Sequence, residues 1–255
     1  MLLAHLTFRS KSRLSDHTID VVDRMHRAWW EGGQVLGPFN SLVIRAKTVQ
    51  TVVCIPERSA LSPRHALSLT KNHLRELAKI KVHIETNVIG PVAGELAADS
   101  CHRPGPLLIF STAYTDSPPV RCGRCFAPVP LYRLPPQPVK APFFNTEYDD
   151  LLTWQRDFNA MDNLWFDSSF SEKHAFRQLS NPKSELNQDG LSLRESLEDR
   201  TGRKVYYFLF AHCDIKGGNL PPDRPCPICG GKWLQKREVF TRFTHKCEKC
   251  RIVTM

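Results

Sequence analysis

Arg224–Val253 reads RPCPICGGKWLQKREVFTRFTHKCEKCRIV, with Cys226-Pro-Ile-Cys229 and Cys247-Glu-Lys-Cys250 separated by 17 residues. Each Cys-x-x-Cys turn can aim two thiolates at one ion, and a hairpin between the turns brings four sulfurs into the tetrahedron that structural zinc prefers. The spacing is that of a zinc ribbon, so Cys226, Cys229, Cys247 and Cys250 are expected to hold one structural Zn2+. Two disulfides are the alternative. A closed four-sulfur shell leaves the metal no open position for substrate, so the motif speaks for architecture rather than catalysis.

Size makes the same demand. The segment 222–255 is shorter than the roughly 40 residues below which a domain usually needs a metal, disulfides or a partner to fold. Ordering it costs about 1–2 kcal/mol per residue in backbone entropy. Structural zinc contributes an apparent ~10–16 kcal/mol in small finger peptides. The ribbon is therefore expected to unfold without its ion.

The whole chain has 255 residues, 41% of them hydrophobic, and a formal charge of +9. This is room for one ordinary domain, or two small ones, beside the ribbon. No apolar run approaches the ~18–20 residues needed to span a bilayer. The start, Met1-Leu-Leu-Ala-His5-Leu-Thr-Phe8, is followed by Arg9, Lys11 and Arg13. That is the wrong order for a signal peptide, and the stretch reads as a first strand. Nine cysteines, partly in Cys-x-x-Cys pairs, suit a reducing cytoplasm with metal sites. The positive balance favours a polyanionic partner, because each neutralised phosphate releases counterions.

Residues 1–95 give six elements in order. Leu2–Phe8 is a strand. Asp16 caps a helix through Trp30, with Ile19, Val22, Met25 (or His26) and Trp29 on one face, stopped by Gly32-Gly33. Residues 41–49 and 51–55 are Val/Ile/Thr-rich strands. Pro63 opens a second helix with Leu67, Leu74 and Leu77 inward, and residues 81–89 alternate as a last strand. The order β-α-β-β-α-β predicts an α+β, ferredoxin-like domain. Residues 96–145 are proline-rich, which argues against helices and leaves short strands such as Leu107–Phe110. Residues 146–215 turn helical, with Tyr148, Leu151, Leu152, Gln155, Phe158, Met161 and Trp165 at helical spacing. Shorter helices follow near Glu172–Leu179 and Leu191–Arg200, the last ended by Thr201-Gly202. The run Val205–Phe210 is apolar throughout, as in a strand buried on both faces. A Gly- and Pro-rich link at residues 217–222 leads to the ribbon.

Cys122-Gly-Arg-Cys125 resembles a redox pair, but Pro128 and Pro130 forbid the helix whose N-terminus would lower the thiol pKa. A second metal knuckle is one reading and a purely structural or vestigial turn is another. Missing ligands for a second zinc would come from Cys101-His102, from Cys213 with His212, or from Cys54. His212-Cys213-Asp214 holds nucleophile-type residues, but neighbours on a strand point to opposite faces. Glu147, Asp149 and Asp150 read as carboxylates favoured at a helix start. No phosphate-binding glycine loop and no His-Glu-x-x-His is present, and the expectation is a non-enzyme with no catalytic residues.

The ribbon carries eight cations against three anions. Lys232, Lys236, Arg237, Arg242 and Lys246 are the candidate nucleic-acid contacts. Trp233, Phe240 and Phe243 either stack on bases or fill the ribbon's small core.

The combination of Cys122-Gly-Arg-Cys125-Phe-x-Pro-Val-Pro-Leu-Tyr, Leu152-x-Trp154-Gln-Arg-Asp157, Gly202-x-x-Val205-Tyr-Tyr207 and the terminal ribbon resembles a bacterial family described as zinc-ribbon-containing candidate nucleic-acid-binding proteins. The resemblance implies zinc and a bacterial cytosol, and carries no assigned activity. The expected function is RNA or DNA binding through the basic ribbon. The alternative is a protein-interaction or immunity-type module in which zinc is purely structural.

Overall fold

A computed structural model describes residues 1–37, 41–138, 147–210 and 224–255. The fold is mixed α+β, with a four-stranded sheet and a six-stranded sheet. The chain divides into two compact units. The first comprises Met1–Ala98, Asp116–Pro118 and Pro128–Asp149, and the second comprises Asp99–Thr115, Pro119–Ala127 and Asp150–Met255.

In the first unit the elements are β1 (Leu2–Ser10), α1 (Asp16–Glu31), β2 (Val43–Arg45), β3 (Thr48–Ile55), α2 (Ser68–Lys79) and β4 (Val82–Pro91). The strands are ordered β2-β3-β1-β4, and all neighbours are antiparallel. Ala4, Leu6 and Phe8 of β1 lie on one face and pack with Val49, Val53 and Ile55 of β3, Val22, Met25 and Trp29 of α1, and Leu77 of α2. The helices thus cover one face of the sheet. Two helix starts differ from the sequence expectation, and the hairpin turns at Ala46-Lys47, so that β3 begins at Thr48 rather than at residue 51. Ser15, one residue before Asp16, is the N-cap of α1, its Oγ accepting from the Thr18 amide at 3.2 Å. Pro63 opens only a 3-10 turn through His65; Ala66 is extended, and α2 begins at Ser68. Residues 128–138 belong to this unit. Tyr132 donates its hydroxyl to Glu57 Oε1 at 3.0 Å, and Arg133 pairs with the same carboxylate.

The second unit contains β5 (Leu107–Ile109), β6 (Val120–Cys122), α3 (Asp149–Phe166), α4 (Glu172–Ser180), α5 (Glu185–Thr201), β7 (Val205–Phe208), β8 (Leu234–Val239), β9 (Phe243–Cys247) and β10 (Ile252–Thr254). Its sheet runs β6-β5-β7-β10-β9-β8. β7 is central, parallel to both β5 and β10, and all four of its residues are buried, as its unbroken apolar sequence requires. On one face Tyr207 meets Trp154 of α3 at a ring distance of 5.7 Å and donates its hydroxyl to Asn187 of α5 at 2.8 Å. On the other, Phe208 packs with Phe110 (5.0 Å) and Phe243 (5.7 Å). The segments 96–145, 146–215 and 222–255, read separately from the sequence, all lend strands to this one sheet. The terminal hairpin therefore shares its hydrogen bonds and core with the strands before it. His212-Cys213-Asp214 and the Gly/Pro link lie outside the described residues. Asp150 is ion-paired with Arg200 at 2.9 Å, in keeping with a structural role for the acidic helix start.

Candidate metal centres and basic surface

β8, β9 and β10 bring the two C-terminal Cys-x-x-Cys turns together. The sulfurs of Cys226, Cys229, Cys247 and Cys250 all lie within 4.8 Å of one another. Cys229 Sγ is 3.6 Å from Cys247 Sγ. A tetrahedron with Zn–S bonds of ~2.3 Å has sulfur edges of about 3.8 Å, whereas a disulfide requires about 2.05 Å. The residues therefore fit a structural divalent ion and do not form the alternative disulfides.

Local backbone creates the turns. The Cys226 amide donates to Gly231 O and the Gly230 amide to Cys226 O, both at 2.8 Å. Gly230 takes φ +70°, where a side chain would be strained. The Cys250 amide donates to Cys247 Sγ at 3.4 Å. Hydrogen bonds from the Gly231 amide and then from the Cys250 thiol draw the Cys229 thiol down to about 7, while burial pushes Cys226 and Cys250 up. A bound cation replaces such protons and makes every sulfur a thiolate.

A second cluster assembles around the other Cys-x-x-Cys. Asp99, Cys101, Cys122 and Cys125 place one ligand atom each within 4.8 Å of one another. Cys101 Sγ is 3.6 Å from Cys125 Sγ, Cys125 Sγ is 3.2 Å from Asp99 Oδ1, and the Cys101 amide donates to that oxygen at 3.0 Å. Burial opposes the charge on Asp99, but the hydrogen bonds from the Cys101 amide and the thiols outweigh it and hold the carboxyl below its usual range. The same carboxylate, followed by Cys125, pushes the Cys101 thiol up to about 12. Of the ligands proposed from sequence to complete Cys122 and Cys125, Cys101 is the one among the described residues that joins them; His212 and Cys213 lie outside those residues. Cys54 lies on β3 and belongs to neither cluster. Asp99 escaped sequence reading because a lone Asp two residues before a Cys is too common to mark a ligand.

The basic residues separate into two groups. Lys232, Lys236, Arg237 and Arg242 are exposed. Lys236 and Arg237 sit where the β8–β9 register breaks between Leu234 and Val239, on the edge strand of the sheet. Arg242 lays its guanidinium 4.3 Å above the Phe126 ring. Lys246 is mostly covered, pairs with Glu248 at 2.6 Å and lies over Tyr206 at 4.6 Å. Arg251 binds the same Glu248 at 2.8 Å. Burial raises the Glu248 pKa, but the Lys246 and Tyr206 hydrogen bonds lower it further. Trp233, Phe240 and Phe243 are only 2%, 7% and 0% exposed. They fill the core, so base stacking on them is excluded in this conformation.

A family model described as "Domain of unknown function (DUF2310)" matches residues 101–210, and another, "Domain of unknown function (DUF8594)", matches residues 220–255. An uncharacterized protein of Haemophilus influenzae is 28% identical over 253 residues, covering 96% of this chain and 90% of that protein. A second uncharacterized protein of that organism is 31% identical over 149 residues, covering 58% of this chain and 69% of its own length. The chain belongs to the DUF2310 family. The DUF2310 match takes in Cys101, Cys122 and Cys125, and the DUF8594 match takes in the four C-terminal cysteines. Neither description names a metal or a ligand, so both readings stand on the residues. No solved structure matches the chain. Among the described residues no helix is long and apolar enough to cross a membrane.

Proposed function

We propose that this is a non-enzymatic, cytoplasmic zinc-ribbon protein that binds RNA or DNA through its C-terminal hairpin. Cys226, Cys229, Cys247 and Cys250 would hold the ion, which supplies structure and no chemistry at an open position. The observation that carries the reading is the edge strand β8 with its register break. There Lys236 and Arg237 are exposed, with Lys232 and Arg242 exposed on the same hairpin. Lys232, Lys236 and Arg237 have no ion-pair partner among the described residues, so their charge is available to phosphate. Lys246, held by Glu248, supports the fold of the hairpin instead. The β-α-β-β-α-β order and the β2-β3-β1-β4 sheet support reading the first unit as a ferredoxin-like platform.

The test is an anisotropy titration of the full chain with single-stranded RNA, duplex DNA and heparin at two salt concentrations. If four cations engage, log affinity falls against log salt with a slope of about −3.6 on duplex and about −2.8 on single strands. Replacing Lys232, Lys236 and Arg237 by Ala weakens binding and reduces the slope by roughly 1 per cation removed. No binding at low salt rejects the reading, and unchanged binding by the triple variant rejects the surface.

One feature favours the alternative of a protein-interaction module. Val43, Val52 and Ile89 are 51%, 46% and 58% exposed. A shallow hollow of about 400 Å³ on the outer sheet face is lined by His5, Ser41, Val43, Gln50, Thr51 and Val52. Under that reading, a Val43→Ser/Val52→Ser variant, which adds no charge, leaves nucleic-acid affinity unchanged and loses a protein partner.

A further inference from the structure

We propose that Asp99, Cys101, Cys122 and Cys125 form a second metal centre, one carboxylate and three thiolates around a single thiophilic divalent ion such as Zn2+, and that this ion exchanges faster than the one in the ribbon. The centre does not depend on nucleic-acid binding.

Backbone geometry carries the inference, because all three Cys-x-x-Cys turns are built alike. In the turn at Cys122, the Cys122 amide donates to Ala127 O at 2.8 Å and the Phe126 amide returns to Cys122 O at 2.9 Å. The turn at Cys226 has the same two bonds at the same offsets, to Gly231 and from Gly230. In the turn at Cys247 the residue at that first offset, Ile252, lies opposite Cys247 in the sheet. The residue four positions after the first cysteine is left-handed in each case: Phe126 at 61°, Gly230 at 70° and Arg251 at 54°. A left-handed phenylalanine costs on the order of 1–2 kcal/mol. Such strain persists where the surroundings enforce it, and it gathers at functional sites. Gly123 is required as well, since a Cβ there would lie 2.7 Å from Pro106 and from Phe240. The sulfur separation is also shared, 3.6 Å in both clusters, which is near the tetrahedral edge for zinc and far from a disulfide.

Asp99 and Cys101 approach from the preceding loop, and the Cys101 amide bond to Asp99 Oδ1 fixes the carboxylate beside the thiols. The donor set explains the difference in exchange. A carboxylate is a harder ligand than a thiolate and suits a thiophilic ion less well. Cys101 and Cys125 are exposed and Cys122 alone is buried, whereas the ribbon buries both Cys226 and Cys247.

Metal analysis of the full chain, purified reduced with zinc, tests this directly. Wild type is expected to carry two ions, and Asp99→Asn and Cys101→Ser one each. A Cys229→Ser/Cys250→Ser variant also keeps one. With Co2+, the ion left in Cys101→Ser gives a four-thiolate spectrum, and the ion left in the ribbon variant gives a weaker thiolate charge-transfer band. A chromogenic chelator should remove one equivalent from wild type in an early phase that Cys101→Ser lacks. One ion in wild type and an unchanged count in both Asp99→Asn and Cys101→Ser overturn the site. Two ions leaving wild type in a single phase overturn the faster exchange. A Cys101→Ser chain that loses both ions has lost its fold, and the milder Asp99→Asn count then decides.

Discussion

Gly190 lies inside α5, where alanine would ordinarily be better by about 1 kcal/mol. Here a Cβ would come within 2.2 Å of Tyr207 Cε2 and 2.5 Å of Cζ. The ring cannot retreat, because Tyr207 is fully buried and its hydroxyl is held by Asn187. Gly190→Ala is therefore expected to lower stability by about 1–3 kcal/mol through overpacking, as read by urea unfolding; a gain in stability would show that the contact is absent. His26, 5% exposed, behaves differently. Burial lowers its pKa, with Asp23 opposing only in part. Its folded value thus lies below the unfolded value of about 6.5. As pH falls, the unfolded chain takes up a proton that the folded chain refuses. The stability contribution is complete above about pH 6.5 and is lost below it, at up to about 1.4 kcal/mol per pH unit, until the folded imidazole also protonates. His26→Gln should flatten that part of the pH dependence; equal slopes in the two proteins would assign the loss elsewhere.

The C-terminal hairpin is the element in which a dependence on metal is expected. Trp233 Nε1 donates to Arg224 O at 2.9 Å, and the indole lies 5.1 Å from the His245 ring. That environment is expected to loosen if the Cys226 and Cys247 turns are no longer drawn together by an ion. Strong chelation is expected to red-shift tryptophan emission, and Trp233→Phe should abolish most of the change. An unchanged spectrum would mean that the hairpin keeps its order without the ion. The zinc dependence foreseen for an isolated segment needs adjustment, because β10 is paired with β7 and Phe243 is fully buried. Repetition made the local elements legible. Val22, Met25 and Trp29 mark α1 by their spacing, the four cysteines mark the knuckles, and Thr201-Gly202 marks the end of α5, where Gly202 takes φ 63°. The parallel pairing of Ile252-Val253 with Tyr207-Phe208 was not legible. It joins short apolar segments about 45 residues apart, and neither carries a local sign of its partner. The fate of Trp233, Phe240 and Phe243 was hidden for the same reason: their burial depends on the sheet they join.

Across the whole molecule, two units with separate cores carry different kinds of surface. The first exposes aliphatic residues on its outer sheet face, and the second exposes cations on its edge strand while keeping the hairpin aromatics Trp233, Phe240 and Phe243 inside. The charge balance of +9 is compatible with a polyanionic partner but does not separate free cations from paired ones. Glu248, collecting Lys246, Arg251 and the Tyr206 hydroxyl at 2.6–2.8 Å, makes that separation. Glu248→Gln should cost stability rather than nucleic-acid affinity, by about 0.5–1.5 kcal/mol for a partly exposed network; unfolding and binding titrations on the same sample check it. The central claim is that four C-terminal sulfurs converge on one ion. Native mass spectrometry of the intact reduced chain tests it most directly. A Cys226→Ser/Cys247→Ser variant is predicted to carry one zinc fewer than wild type. Wild-type protein that is metal-free yet holds Trp233 in its buried environment would contradict the account.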